Sequence, residues 1–199
     1  MTPRRKLSNR LIAVGAVLVL ASVILTMYNL NRDWDAKNED YEILSELDEA
    51  VEAGEMHRVT DVPKFPDDMD SVNIEDVDYI GYITIPSLGV ELPVTKTWSY
   101  EKLKFAPCRY AGNVNDNNLV ICAHNYRSHF GRLSRLREGD EIRFKDVHGN
   151  VTHYQVVSSS ILAPTAIEKV TVSDADLTLF TCTYGGRTRY TVQCQKRPA

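Results

Sequence analysis

From Leu11 to Asn31 the chain carries no charged side chain, and the run LIAVGAVLVLASVILTM within it is almost wholly apolar. About 20 helical residues at roughly 1.5 Å each reach roughly 30 Å, the thickness of a bilayer's hydrocarbon core. One transmembrane helix at residues 11–31 is the expectation, and it restricts everything downstream to a body held at a membrane surface. Arg4, Arg5, Lys6 and Arg10 precede the run with no acid among them. The positive-inside rule then puts residues 1–10 in the cytoplasm and the chain after Asn31 outside. A cleaved signal peptide is the rival reading, because Val19-Leu20-Ala21 has small-residue character, but the apolar run continues past that point.

The formal net charge of -4 over 199 residues conceals a partition. Residues 33–78 hold 17 acids against 3 bases, whereas residues 79–199 hold 10 acids against 15 bases. The basic balance of the body is too weak and scattered to argue for nucleic acid, and no motif of that kind is present. Within the acidic part, residues 32–77, Tyr41, Leu44, Leu47 and Val51 recur at helical spacing, which predicts an amphipathic helix over 32–56 serving as a stalk. Pro63 and Pro66 cannot continue it, and the acids running to Asp78 read as a solvated linker. Its charge keeps the segment soluble, or else repels an anionic surface or docks the segment on the basic body, where it would shade the site.

From residue 78 to 199 the texture changes to short β-rich segments broken by Gly, Pro, Asn and Asp. Strands are expected at Tyr79 to Ile85, Val90 to Lys96, Asn118 to Ala123, Glu141 to Lys145, His153 to Ser158, Leu177 to Thr183 and Thr188 to Gln195. Seven or eight short strands point to a mainly β fold closed into a barrel. Gly149-Asn150 marks one hairpin and Gly185-Gly186 another. Short helices are expected near Tyr100 to Phe105 and Phe130 to Leu136, and Ser159 to Asp176 reads as a long connection. Cys108, Cys122, Cys182 and Cys194 are too few for a disulfide scaffold; if Cys182 is a free nucleophile, the other three read as buried, reduced thiols.

Cys182 closes Thr178-Leu179-Phe180-Thr181, Arg189 heads Arg189-Tyr190-Thr191-Val192, and His124 ends the apolar run before it. A thiol is an effective nucleophile once ionised, an imidazole can exchange a proton with a departing amine, and a guanidinium is a permanent positive donor for an oxyanion. Together they point to acyl transfer. Arg187 lies two residues from Arg189 and competes for its role; the Tyr-Thr-Val that follows Arg189 favours the latter. His129 and Arg127 lie in HNYRSHFGRL after His124, and for Cys122 packing is the default. No metal-ligand spacing links Cys108, Cys122, His124 and Cys182.

The elements TLFTC followed by R-Y-T-V, NLVICAH before a loop and the opening YIGYITIPSLGVELPV resemble the sortases of Gram-positive bacteria over roughly residues 78–196. That resemblance implies an eight-stranded barrel with short helices, anchored by an N-terminal helix. It implies Cys182 as nucleophile, His124 as the family histidine and Arg189 as the arginine assisting the oxyanion. The reaction implied is cleavage of a C-terminal LPxTG-like sorting signal through an acyl-thioester and transfer to an amine, with hydrolysis as a side activity and no cofactor. The partners implied are secreted proteins bearing the signal and an acceptor amine from a peptidoglycan precursor stem peptide or a pilin lysine. Thr181 beside the nucleophile, with Ile161, Leu162, Pro164 and Ile167 in the long connection, are candidates for the substrate groove; Val170 belongs to the same apolar set, and all of these connection residues equally suit packing a loop onto the barrel.

Ala123 stands where a glycine is common, the turn Thr183-Tyr184-Gly185-Gly186 is short, and no C-terminal membrane segment is seen, which leaves the class open between class B-like and class D-like. An L,D-transpeptidase places His and Gly immediately before its cysteine, where this chain has Thr181. A catalytically silent sortase-like binding module is the alternative from another class.

Overall fold

The computed structural model describes residues 3–53 and 69–197. Helix α1, Pro3–Ala53, contributes to two separate units, one ending at Asp35 and one beginning at Ala36. The first unit contains Leu11–Asn31, a stretch long and apolar enough to cross a membrane, with none of it buried in protein. Pro63 and Pro66 lie outside the described residues.

The second unit is mainly β. Among the described residues there are nine strands: β1 Val72–Ile74, β2 Val77–Ile85, β3 Val90–Thr95, β4 Cys108–Ala111, β5 Leu119–Ala123, β6 Glu141–Asp146, β7 Val151–Leu162, β8 Leu177–Cys182 and β9 Arg189–Lys196. They run in the order β1-β2-β3-β4-β5-β8-β9-β7-β6, and β6 pairs again with β2, so the last eight close a barrel and β1 lies on its flank. A short helix, α2, spans Ile167–Thr171. Two strands, β1 and β4, fall where no strand is expected from sequence, and β7 runs four residues beyond its expected end.

Closure depends on a close backbone approach. Gly81 stands opposite Asp146 in the β2–β6 ladder at a φ of 134°, and a Cβ there would sit 2.0 Å from the Lys145 carbonyl oxygen. Only glycine accommodates that conformation with no side chain to displace. The period-2 alternation then sorts side chains: Leu119, Ile121 and Ala123 on β5, Leu177 and Leu179 on β8, and Val192 and Cys194 on β9 point into the barrel with Ile83, Phe144 and Tyr154.

The acidic segment is not simply a stalk. Asp40, Ile43, Leu44 and Leu47 form the buried stripe of α1, while Tyr41 is exposed. Ile43 and Leu47 join Val72, Ile74, Tyr79, Ala106 and Val147 in a second apolar cluster on the outside of the barrel. Asp48 Oδ1, on the same helix, accepts hydrogen bonds from Tyr82 Oη at 3.1 Å and Lys145 Nζ at 3.0 Å. The part of the expected linker at residues 72–74 is the strand β1, whose Val72 and Ile74 fill the same cluster. Because Leu47 is almost fully buried there, Leu47→Ala is expected to destabilise the full-length protein by about 2–5 kcal/mol, read from denaturant melts in detergent; a loss indistinguishable from zero would show that the helix does not pack on the barrel.

Candidate active site

Three strand ends meet on one face. In the parallel β5–β8 ladder Ala123 pairs with Thr181, so the next residues, His124 and Cys182, stand side by side. In the antiparallel β8–β9 ladder Cys182 pairs directly with Arg189. Ala123 and Leu179 are inward, so alternation turns His124 and Cys182 outward, and Arg189, Cys182's direct partner, shares their face. His124, Cys182 and Arg189 are half-buried, a thiol open to reagents and yet shielded on its sheet side.

The turn between β8 and β9 holds the pair in register. Thr183 and Thr188 exchange backbone and side-chain hydrogen bonds, with Thr183 N donating to Thr188 O at 3.0 Å and the two hydroxyls 2.7 Å apart. Arg189 Nη1 donates to the carbonyls of Gly186 and Thr188 at 3.0 and 3.1 Å, which orients the guanidinium from behind. Arg187 follows the tight turn Tyr184–Gly186 and is exposed, outside the ladder. Geometry therefore brings Arg189, and not Arg187, to the rung of Cys182.

The loop after His124 is equally constrained. Phe130 N donates to His124 O at 3.2 Å, and both His129 N and Gly131 N donate to Tyr126 O, at 3.1 and 2.8 Å. A Cβ on Gly131 would lie 2.4 Å from Asn125 O, so the turn closes only around glycine. The rings of His124 and Tyr126 are 4.8 Å apart, centre to centre.

Thr181 lies beneath the site and not in it: it is buried and its hydroxyl donates to Ala123 O at 2.8 Å, fastening the last rung of β5 and β8. Ile161 and Leu162 belong to β7 and not to a loop, on opposite faces; Leu162 pairs with Arg189 and so shares the outer face with Cys182, whereas Ile161 pairs with Tyr190. Pro164 is exposed in the turn that follows. Val170 is buried, and the Ile167 side chain lies outside the described residues. An aromatic row escapes the sequence reading: Trp98, Tyr110 and Phe180 stack edge to face or tilted, with centroids 5.5 Å and 5.2 Å apart. Phe180 precedes Cys182 by two residues on the same face, a spacing that strand alternation alone could have flagged.

A sortase domain model matches residues 83–197. The chain belongs to the sortase family. It is 29% identical over 118 residues to Sortase A of Bacillus anthracis, spanning 56% of each protein, so the chain matches about half the length of that relative. Among solved structures, a Clostridium perfringens Sortase D5 transpeptidase superposes with a TM-score of 0.63 at 19% identity, covering 81% of this chain and 99% of that one. Sortase C of Streptococcus pneumoniae gives 0.59 at 23%, covering 79% and 97%. Sortase C of Clostridium perfringens, solved with a C-terminal cell wall sorting motif, gives 0.55 at 23%, covering 79% and 91%. These structures share the fold, a closed eight-stranded barrel.

All four thiols are free, and they differ sharply in environment. Cys108, Cys122 and Cys194 are buried; burial pushes the Cys122 thiol well above its ordinary range and that of Cys194 up to about 12. Reaction with iodoacetamide requires an accessible thiolate. The native protein is expected to take up one carbamidomethyl group, at Cys182, and four after denaturation, read by peptide mass spectrometry. Labelling of Cys122 or Cys194 at the rate of Cys182 would contradict this arrangement.

Proposed function

We propose that this sortase is a membrane-anchored cysteine transpeptidase that cleaves a C-terminal LPxTG-like sorting signal and passes the acyl group to an amine. The reading rests on one observation above all: His124, Cys182 and Arg189 share a face and adjacent register at three strand ends. In this mechanism the Cys182 thiolate attacks the carbonyl carbon of the scissile peptide bond, and the carbonyl oxygen becomes an oxyanion. Arg189 stabilises that charge, which a permanently protonated guanidinium does without any proton transfer. His124 in its imidazolium form donates a proton to the departing amine as the C–N bond breaks, leaving an acyl-thioester on Cys182 and a neutral imidazole. The incoming amine then attacks the thioester, gives its proton to His124 and expels the Cys182 thiolate, restoring the starting charges. Water in place of the amine yields the hydrolysed product.

The outer face beside Cys182 suits an extended peptide with apolar side chains: Phe180 and its aromatic neighbours lie on one side and Leu162 on the other, with Pro164 exposed two residues beyond it. The likeness to a sortase solved with a sorting motif supports the same substrate class here. The acceptor we assign is an amine of a peptidoglycan precursor stem peptide or of a pilin lysine, and the donor a secreted protein. The uncharged span Leu11–Asn31 behind a basic tip supports a single-pass anchor with the N-terminus cytoplasmic and the barrel outside.

Full-length protein in detergent, given fluorogenic sorting-signal peptides with and without an amine, tests the assignment. Turnover is expected to vanish in Cys182→Ala and to fall about 10²- to 10³-fold in Arg189→Ala, while Arg187→Ala stays near wild type. A loss in Arg187→Ala equal to that in Arg189→Ala would reassign the oxyanion donor, and turnover of no peptide by the wild-type protein would remove the transpeptidase reading.

A further inference from the structure

One buried titratable pair takes no part in that chemistry. Asp40 on α1 and His129 in the loop after β5 are 3% and 0% exposed, and their Oδ2 and Nε2 atoms lie 3.3 Å apart. Asp40 lies on the same buried stripe as Ile43, Leu44 and Leu47, a place where an apolar side chain would cost nothing to bury. None of the four polar side-chain atoms of the two residues makes a well-aligned hydrogen bond among the described residues, so the 3.3 Å approach of Oδ2 to Nε2 is a close contact between otherwise unsatisfied buried groups. Burial pushes the Asp40 carboxyl up and the imidazole opposite pulls it down.

What makes the pair more than a docking contact is where His129 sits. Its backbone N–H closes on Tyr126 O, and the next residue, Phe130, donates to His124 O. Its ring lies 5.5 Å from the Tyr126 ring, which in turn lies 4.8 Å from the ring of His124. A continuous path of four side chains thus runs from the helix to the acid–base imidazole. Phe130, itself fully buried, anchors the same loop to the core, so a purely structural role is the competing account.

We propose that Asp40 and His129 are positioning residues for His124: the pair locks the loop 124–131 against α1 and holds the Tyr126 ring in the place that orients the His124 imidazole toward Cys182. The claim rests on the reading of His124 as the proton donor and acceptor of the reaction. Displacements of an ångström far from reacting atoms cost up to about 100-fold in rate, so a lost clamp is expressed in kcat and not in substrate binding.

The experiment compares Asp40→Asn, His129→Gln, their double variant and Leu47→Ala, all as full-length protein in detergent. Three quantities are measured: kcat and KM on a sorting-signal peptide, the pH dependence of Cys182 alkylation, and the His124 ring resonances by NMR of histidine-labelled protein. Asp40→Asn and His129→Gln are each expected to lower kcat about tenfold with KM unchanged within twofold, and to shift the His124 resonances. The double variant is expected to be no worse than either single one, since the two act as a unit. Leu47→Ala, which loosens the same helix without touching the pair, is expected to lower the melting temperature and leave kcat near wild type. Variants that melt earlier but keep both kcat and the His124 resonances would overturn the proposal. So would an equal kcat loss in Leu47→Ala, because helix docking in general and not the pair would then be responsible. If the wild-type protein turns over no peptide, the transpeptidase reading fails separately, and the His124 resonances with the alkylation profile still decide whether the pair positions that ring.

Discussion

The parallel pairing of β5 with β8 is the constraint on which the site depends. It joins residues 58 apart in the chain at the Thr181–Ala123 hydrogen bond, and everything between them is the crossover that a parallel connection requires. Loop-closure entropy grows only slowly with length, so a long crossover is thermodynamically tolerable once the ladder it closes is well buried. Here the ladder is buried along almost its whole length: β5 is covered at all five positions and β8 at four of six. The side chains proposed for catalysis lie immediately at the ends of these rungs, so their spacing is inherited from a buried, hydrogen-bonded part of the barrel. The β8–β9 hairpin then adds the guanidinium at the cost of one tight turn, with Gly185 and Gly186 supplying the positive φ values it needs.

Those same strands were among the seven readable in advance. LVICA is a continuous apolar run because every position is buried, whereas the inward Leu177 and Leu179 of LTLFTC and the alternation of RYTVQC mark one face that meets the core. Strands without such a pattern were missed. CRYA has four residues, one fully buried and three half-buried, and VNI has two apolar residues within an acidic stretch. The end of β7 reads as a loop because of its three consecutive serines, yet Ser160 and Thr191 hydroxyls lie 2.7 Å apart and Ser158 donates to Gln193 Oε1 at 3.0 Å, so cross-strand side-chain bonds supply what propensity lacks. Leu162 is thereby a strand residue on the face of Cys182, a position no reading of a loop could have assigned.

The distinction between Arg187 and Arg189 shows a different limit. Two basic residues at i and i+2 are equivalent to any pattern of period 2, and only the place where the ladder begins separates them. The 3-10 turn at Tyr184–Gly186 and the Thr183–Thr188 hydrogen bonds set that place, and both are products of backbone geometry around two glycines. Asp40 was hidden for the opposite reason. One acid among 17 in the acidic stretch carries no mark of burial, and its partner lies on a loop far along the chain.

A buried carboxylate–imidazole contact is weak evidence for stability, since well-packed apolar side chains in its place are often as good or better. Its effect on register is harder to replace. The stripe of Ile43, Leu44 and Leu47 presents similar aliphatic surfaces at successive turns, and aliphatic burial by itself is non-directional. A slide by one turn would carry Asp40 about 5–6 Å from His129 and Asp48 the same distance from Lys145 and Tyr82. Both acids would then be left without their partners, Asp40 in a buried place where an unpaired carboxylate costs several kcal/mol. Two polar contacts, eight residues apart on one helix, therefore add direction to the observed register. In that register the helix meets the loop that follows His124, with Asp40 on the helix 3.3 Å from His129 in the loop.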